Sequence, residues 1–176
     1  MRLFAALPIP GDIADRLEPL QKGVLGASWR PVDNFHITLR FFGDVTNELA
    51  YDIDAELGAI SIAPFPLSLI GAGFFGRREP TTLWAGVAES APLAELARQC
   101  ERAARRVGLP VEKRPFKPHV TLAYCHGVSP DAAGAFAARN AALSTEPFWC
   151  DGFHLYSSHQ GKGPSRYVAE ADYPLT

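Results

Sequence analysis

The sequence predicts an α+β fold, and three observations carry that prediction. Fifteen Gly and 15 Pro among 176 residues are too many breakers for a helical bundle and imply many turns. Stretches rich in β-branched and aromatic residues alternate with stretches of helical apolar spacing. Two of the strand-like stretches carry the same four-residue signature, His-x-Thr-Leu.

Taken in order, residues 3–7 read as a strand ended by Pro8 and Pro10. Ile13, Leu17, Leu20 and Val24 fit one face of a helix from Gly11 to about Leu25. Asn34 to Gly43 is β-branched and aromatic, a second strand. Thr46 is placed to cap a helix reaching Ile60, whose apolar face is Leu49, Ile53, Leu57 and Ile60. Pro64 and Pro66 stop it. Phe65 to Ile70, Gly73 to Phe75 and Thr82 to Val87 read as short strands, with residues 76–80 as a hairpin loop. Ser90 to Val107 is the clearest helix: Ser90 caps it, Leu93, Leu96, Ala97, Cys100, Ala103 and Ala104 form its stripe, and Gly108 and Pro110 end it. Phe116 to Tyr124 is a strand and Ser129 to Asn140 an Ala-rich helix. Phe148 to Ser157 and Ser165 to Tyr173 close the chain as strands around the polar, Gly-rich loop 158–164. Each half thus runs helix, signature strand, helix, which suggests a duplicated α+β unit. No compositional shift marks a linker, so residues 1–176 are expected to form one domain.

Composition excludes several classes. Apolar residues make up 47% and charged residues 20%, ordinary values for a globular protein. The net charge of −2 argues against coating long nucleic acid, though not against a small phosphate pocket. No apolar run reaches the ~18–20 residues of a membrane helix, and the stretch from Leu3 to Leu7 is too short for a secretory signal. Cys100, Cys125 and Cys150 form no CxxC and fit free thiols in a reducing cytoplasm; Cys125 reads as a small space-filler.

The chemistry lies in His36-Ile37-Thr38-Leu39 and His119-Val120-Thr121-Leu122. Residues i and i+2 of a strand share a face, so each motif turns His and Thr one way and two apolar residues the other. The apolar pair anchors the strand, and imidazole and hydroxyl line a shared cleft. No HExxH and no His/Cys/Asp cluster supports a catalytic metal, and no GxSxG supports a serine hydrolase. Paired histidines suit acid–base displacement at phosphorus. One neutral imidazole takes a proton from water and the other, protonated, gives one to the leaving oxygen. The hydroxyls of Thr38 and Thr121 can donate to non-bridging oxygens. Water as nucleophile needs no cofactor.

With these motifs in their context, the sequence resembles the two-histidine phosphoesterase superfamily, in its RNA 2',3'-cyclic phosphodiesterase (2'-5' RNA ligase-like) branch. The resemblance takes in residues 2–7, Trp29, Asn34 to Leu39, Phe41-Phe42-Gly43, residues 73–75, residues 83–87, Pro115 to Ala123, residues 155–158, Arg166-Tyr167 and Pro174-Leu175. It implies a bilobal α+β fold of two antiparallel sheets with pseudo-twofold symmetry and flanking helices, the cleft lying between the lobes. It also implies metal-independent hydrolysis of RNA 2',3'-cyclic phosphate ends to 2'-phosphomonoesters, with ATP-independent 2'-5' joining as related chemistry. Carried over, His36 is the proton donor and His119 the acceptor; the near-identical motifs do not assign those roles themselves. The expected partners are RNA ends or small cyclic-phosphate nucleotides, for a cytoplasmic monomer with no membrane association. Two other readings stay open: a phosphodiesterase for small cyclic nucleotides or 2'-5' oligonucleotides, and a non-catalytic nucleotide-binding module.

The chain departs from the family at Tyr124, where Arg is frequent. Simple alternation puts Arg40 on the His36 face, as a substitute cation, and Phe42 beyond it, as a stacking surface. The same count puts Lys117 on the His119 face. Arg166 and Arg77 are further loop or strand-end candidates. His126 and His159 read as surface residues, and His154 as structural, alternating with Tyr156.

Overall fold

The computed structural model describes residues 1–176. The elements are β1 (Arg2–Pro8), α1 (Gly11–Leu17), β2 (Ala27–Trp29), β3 (His36–Asp44), α2 (Asn47–Gly58), β4 (Phe65–Leu67), β5 (Leu69–Phe75) and β6 (Thr82–Val87). They continue as α3 (Ala91–Arg106), β7 (His119–Cys125), α4 (Pro130–Arg139), β8 (Phe148–Cys150), β9 (Gly152–His159) and β10 (Arg166–Pro174). The α+β class is as the sequence predicts.

Three helices begin on the hydroxyl caps their sequences offer. Thr46 Oγ1 accepts from Leu49 N at 3.2 Å, Ser90 Oγ from Leu93 N at 3.2 Å, and Ser129 Oγ from Ala132 N at 3.1 Å. α1 ends at Leu17, well short of the expected Leu25. Pro19 has no N–H to continue the ladder, and Glu18–Leu20 tightens into a 3-10 turn. β7 starts at His119 rather than Phe116, because Pro115 and Pro118 cannot donate ladder hydrogen bonds. β2 was not foreseen; three residues are too few for a periodic signal.

The strands pair in the order β10-β9-β1-β3-β7-β6-β5, with β2 also on β7, and β4 with β8 forms a separate two-stranded sheet. All pairings are antiparallel. The large sheet has two halves, β10-β9-β1-β3 and β7-β6-β5, and the ladder joins them at the single pair Ile37↔Val120. The expected antiparallel α+β architecture is thus present as one large sheet of two halves and a separate β4–β8 pair. One face of both halves buries Leu3, Ala5, Leu7, Ile37, Leu39, Val120 and Leu122 in an apolar cluster with the inner sides of the helices. No helix is long and apolar enough to cross a membrane.

Candidate active site at the junction of the two half-sheets

The two signatures meet where the half-sheets join. Ile37 and Val120 form the joining pair and are fully buried. Period-two alternation then turns His36, Thr38, His119 and Thr121 to the opposite face, where each is partly exposed. Because the strands are antiparallel, His36 lies on the Thr121 side of the pair and Thr38 on the His119 side. The four side chains thus surround a local twofold axis through the joint.

Backbone carbonyls set both imidazole tautomers. A carbonyl only accepts, so the facing nitrogen carries the proton. His36 Nδ1 donates to Asn34 O at 2.7 Å, and its Nε2 accepts from Thr38 Oγ1 at 3.0 Å. His119 Nδ1 donates to Lys117 O at 2.6 Å, and its Nε2 has no protein partner. Burial pushes the His36 pKa down to about 4 against the pull of the Asn34 carbonyl, with a further lowering from His119. Burial also lowers His119, opposed by the Lys117 carbonyl. Both rings are therefore neutral at pH 7, each with an Nε2 lone pair turned to the cleft.

Aromatic rings produce that burial. Phe4 packs on His36 with ring centroids 5.0 Å apart, and Tyr167 stands edge-on to it at 5.4 Å. Tyr156 stacks on Phe4 at 5.3 Å. On the other half, Phe75 is edge-on to His119 at 4.8 Å, and Trp84 lies 6.4 Å away. The Trp84 indole lies across Gly73, where a Cβ would come within 2.4 Å of the ring. Gly73→Val should therefore displace Trp84 from beside His119, at a cost of about 1–3 kcal/mol. A lower denaturant midpoint together with altered tryptophan emission would report it; an unchanged midpoint would count against this packing.

Two cavities adjoin His119. The larger, about 830 Å³, runs between β3 and residues 112–117 and reaches Thr38 and Thr82. The smaller, about 440 Å³, is walled by Ile70, Phe75, Trp84, Val87 and Phe116. The cations around the larger cavity are largely neutralised: Arg40 pairs with Glu101, Arg98 with Glu95 and Arg114 with Glu112. No group of three or more His, Cys, Asp or Glu side chains converges as a metal site.

The secondary candidates fare differently. Relative to β1, β3 holds extra residues at Leu39 and Phe42, and these bulges break the simple alternation. Phe42 consequently faces the core, 6% exposed, and is no stacking surface. Phe41 takes the outer face beside Phe4, at 5.7 Å. Arg40 lines the larger cavity, but its guanidinium is tied to Glu101 and to the carbonyls of Phe41 and Pro110. Lys117 precedes the strand, so strand counting does not apply; it is exposed, lines both cavities, and offers its carbonyl to His119.

Tyr124 is exposed on the cleft side, with the Arg30 guanidinium over its ring. Arg166 stands next to Tyr167 on β10, where alternation turns it to the other side; Tyr167 is the residue that meets His36. Arg77 and His126 are exposed. His154 Nδ1 pairs with Asp172, and His159 Nε2 bonds Ser157 Oγ at 2.9 Å. All three cysteines are free. Sequence reasoning missed the rings of Phe4, Phe75, Trp84 and Tyr167. Two left a signal: Phe4 alternates with the buried Leu3 and Ala5, and Trp84 sits opposite Gly73, whereas Phe75 and Tyr167 reach the histidines through sheet register alone.

A family profile described as the 2'-5' RNA ligase superfamily matches residues 9–162. The chain belongs to the 2'-5' RNA ligase superfamily. Within that superfamily, an RNA 2',3'-cyclic phosphodiesterase of Geobacillus stearothermophilus is 35% identical over 152 residues. That match covers 84% of this chain and 48% of the relative, so the chain spans about half that relative's length. The Escherichia coli RNA 2',3'-cyclic phosphodiesterase is 30% identical, covering 99% of this chain and 97% of its own. A crystal structure of E. coli LigT complexed with 3'-AMP superposes with a TM-score of 0.82 at 26% identity, covering 99% of this chain and 98% of that one.

Proposed function

We propose that this chain hydrolyses RNA 2',3'-cyclic phosphate ends to 2'-phosphomonoesters, with the acid and base supplied by its own histidines. The observation that carries this reading is the Ile37↔Val120 joint, which leaves two imidazoles on one face with Nε2 atoms free of backbone partners. The relatives named RNA 2',3'-cyclic phosphodiesterase support the substrate class.

In the proposed reaction, His119 Nε2 takes a proton from water as the water oxygen bonds to phosphorus. The P–O3' bond breaks in line, and protonated His36 gives its Nε2 proton to the departing O3'. The products are a 2'-phosphate and a 3'-hydroxyl, with His36 neutral and His119 charged until solvent resets both. The bound phosphodiester anion favours the charged form of His36, countering the burial that lowers its pKa in the free protein. Once His36 is protonated, its Nε2 no longer accepts from Thr38. The Thr38 hydroxyl is then free, like that of Thr121, to donate to a non-bridging oxygen. With the 5'-hydroxyl of a second RNA replacing water, the same proton transfers join two strands through a 2'-5' bond without ATP.

Since both proton-transfer groups are side chains, turnover of a cyclic-phosphate-ended oligonucleotide should persist in excess EDTA. Loss of turnover in EDTA, restored by a divalent metal, would overturn the metal-independent reading.

A further inference from the structure

On the Tyr124 side of the cleft, one guanidinium has no carboxylate partner. The Arg30 guanidinium donates only to Ser28, from Nε to its carbonyl at 3.3 Å and from Nη2 to its hydroxyl at 2.7 Å. It lies over the Tyr124 ring, 4.8 Å from the centroid. The backbone fixes this placement, since Arg30 N donates to Leu122 O at 2.9 Å and Ser28 pairs with Tyr124 in the β2–β7 ladder. Tyr124 and Arg30 both act on the Tyr167 hydroxyl, and the Tyr167 ring stands edge-on to His36. Tyr167 and Tyr124 therefore lie between His36 and Arg30.

The other side of the site contrasts with this one. Arg40, Arg98 and Arg114 around the larger cavity each hold a carboxylate partner, which leaves Lys117 as the unpaired cation of that lining. Arg30 is partly buried, stacked and oriented by Ser28, so its remaining donors form a prearranged fork for a phosphate. Two aromatic rings, Tyr124 and Tyr167, lie between it and His36, so the phosphate this fork suits is the next one along the strand rather than the reacting one. The exposed Tyr124 ring and the half-buried Tyr167 ring between them offer a stacking surface for the intervening nucleotide.

We propose that Arg30 binds the phosphodiester adjacent to the cyclic phosphate, so that the enzyme favours RNA strand ends over cyclic mononucleotides. This rests on the function proposed above and narrows its substrate class. The test compares kcat/KM for a trinucleotide ending in a 2',3'-cyclic phosphate and for a 2',3'-cyclic mononucleotide, in the wild type, Arg30→Ala and Arg30→Lys. The wild type should favour the trinucleotide by about tenfold or more, the scale of one charge-assisted contact.

Arg30→Ala should lose about that factor, mainly in KM, on the trinucleotide alone. Its salt dependence should be shallower by about 0.7 in log–log slope, the value for one single-strand phosphate. Arg30→Lys should recover part of the loss. Equal losses on both substrates, or no loss on the trinucleotide, would overturn the assignment. Binding of a trinucleotide ending in a 2'-phosphate separates this inference from the functional reading. About tenfold weaker binding by Arg30→Ala supports the site even if catalysis is assigned wrongly, and unchanged binding contradicts it.

Discussion

Replacing His119 by Ala should lower kcat by about 10²–10⁴-fold, the usual contribution of a general acid or base, and leave the protein folded. His119 Nε2 has no protein partner, so its lone pair is the one free to take the proton from water. The ring is partly exposed and stands above Val120, which stays buried in the mutant and keeps the half-sheets joined. What the mutation removes structurally is an edge contact with Phe75 and a hydrogen bond to an exposed carbonyl. Rate and thermal midpoint should therefore separate: a large fall in kcat with a midpoint within a few degrees. A His119→Ala protein retaining more than a tenth of wild-type turnover would remove His119 from the mechanism.

His36→Ala should produce a comparable loss in kcat and, unlike His119→Ala, a more visible change in acid stability. The folded pKa of His36 is about 4, against an ordinary value near 6.5 in the unfolded chain. Between those values the unfolded state binds the extra proton, so stability is unaffected above pH 6.5 and falls as the pH drops toward 4. Each unit of that window costs up to about 1.4 kcal/mol. Removing the imidazole removes this dependence, so the denaturant midpoint of His36→Ala should fall less between pH 7 and pH 4.5 than that of the wild type.

The same shifts set the activity profile. In the proposed mechanism, productive enzyme carries a proton on His36 and none on His119. Both free-enzyme values are lowered, so kcat/KM should follow a bell centred between them, below pH 6.5. An optimum well above pH 7 would contradict the assignment of both groups.

Much of this site was legible because a strand's period of two is rigid. His-x-Thr-Leu can only turn His and Thr one way and the apolar pair the other, and the burial of Ile37, Leu39, Val120 and Leu122 follows. The helix caps at Thr46, Ser90 and Ser129 were legible for a similar reason, as local hydrogen bonds between residues three apart. What depends on register was not. The extra residues at Leu39 and Phe42 appear only when β3 is laid against β1; they exchange Phe42 for Phe41 on the outer face. Arg40 finds Glu101 on α3, a partner no local pattern names. Arg30 meets Tyr124 through the three-residue strand β2, too short to leave a periodic trace. The motifs thus put the two histidines and two threonines on one face, and the tertiary register decided which cations and rings surround them.

The central claim is most directly tested by the product. A synthetic RNA ending in a 2',3'-cyclic phosphate should be converted wholly to the 2'-phosphomonoester, because the protonated oxygen that leaves is O3'. Phosphorus NMR or digestion with a 3'-phosphate-specific phosphatase distinguishes the isomers. A product carrying its phosphate on the 3' oxygen, or recovery of the cyclic end unchanged, would contradict the account.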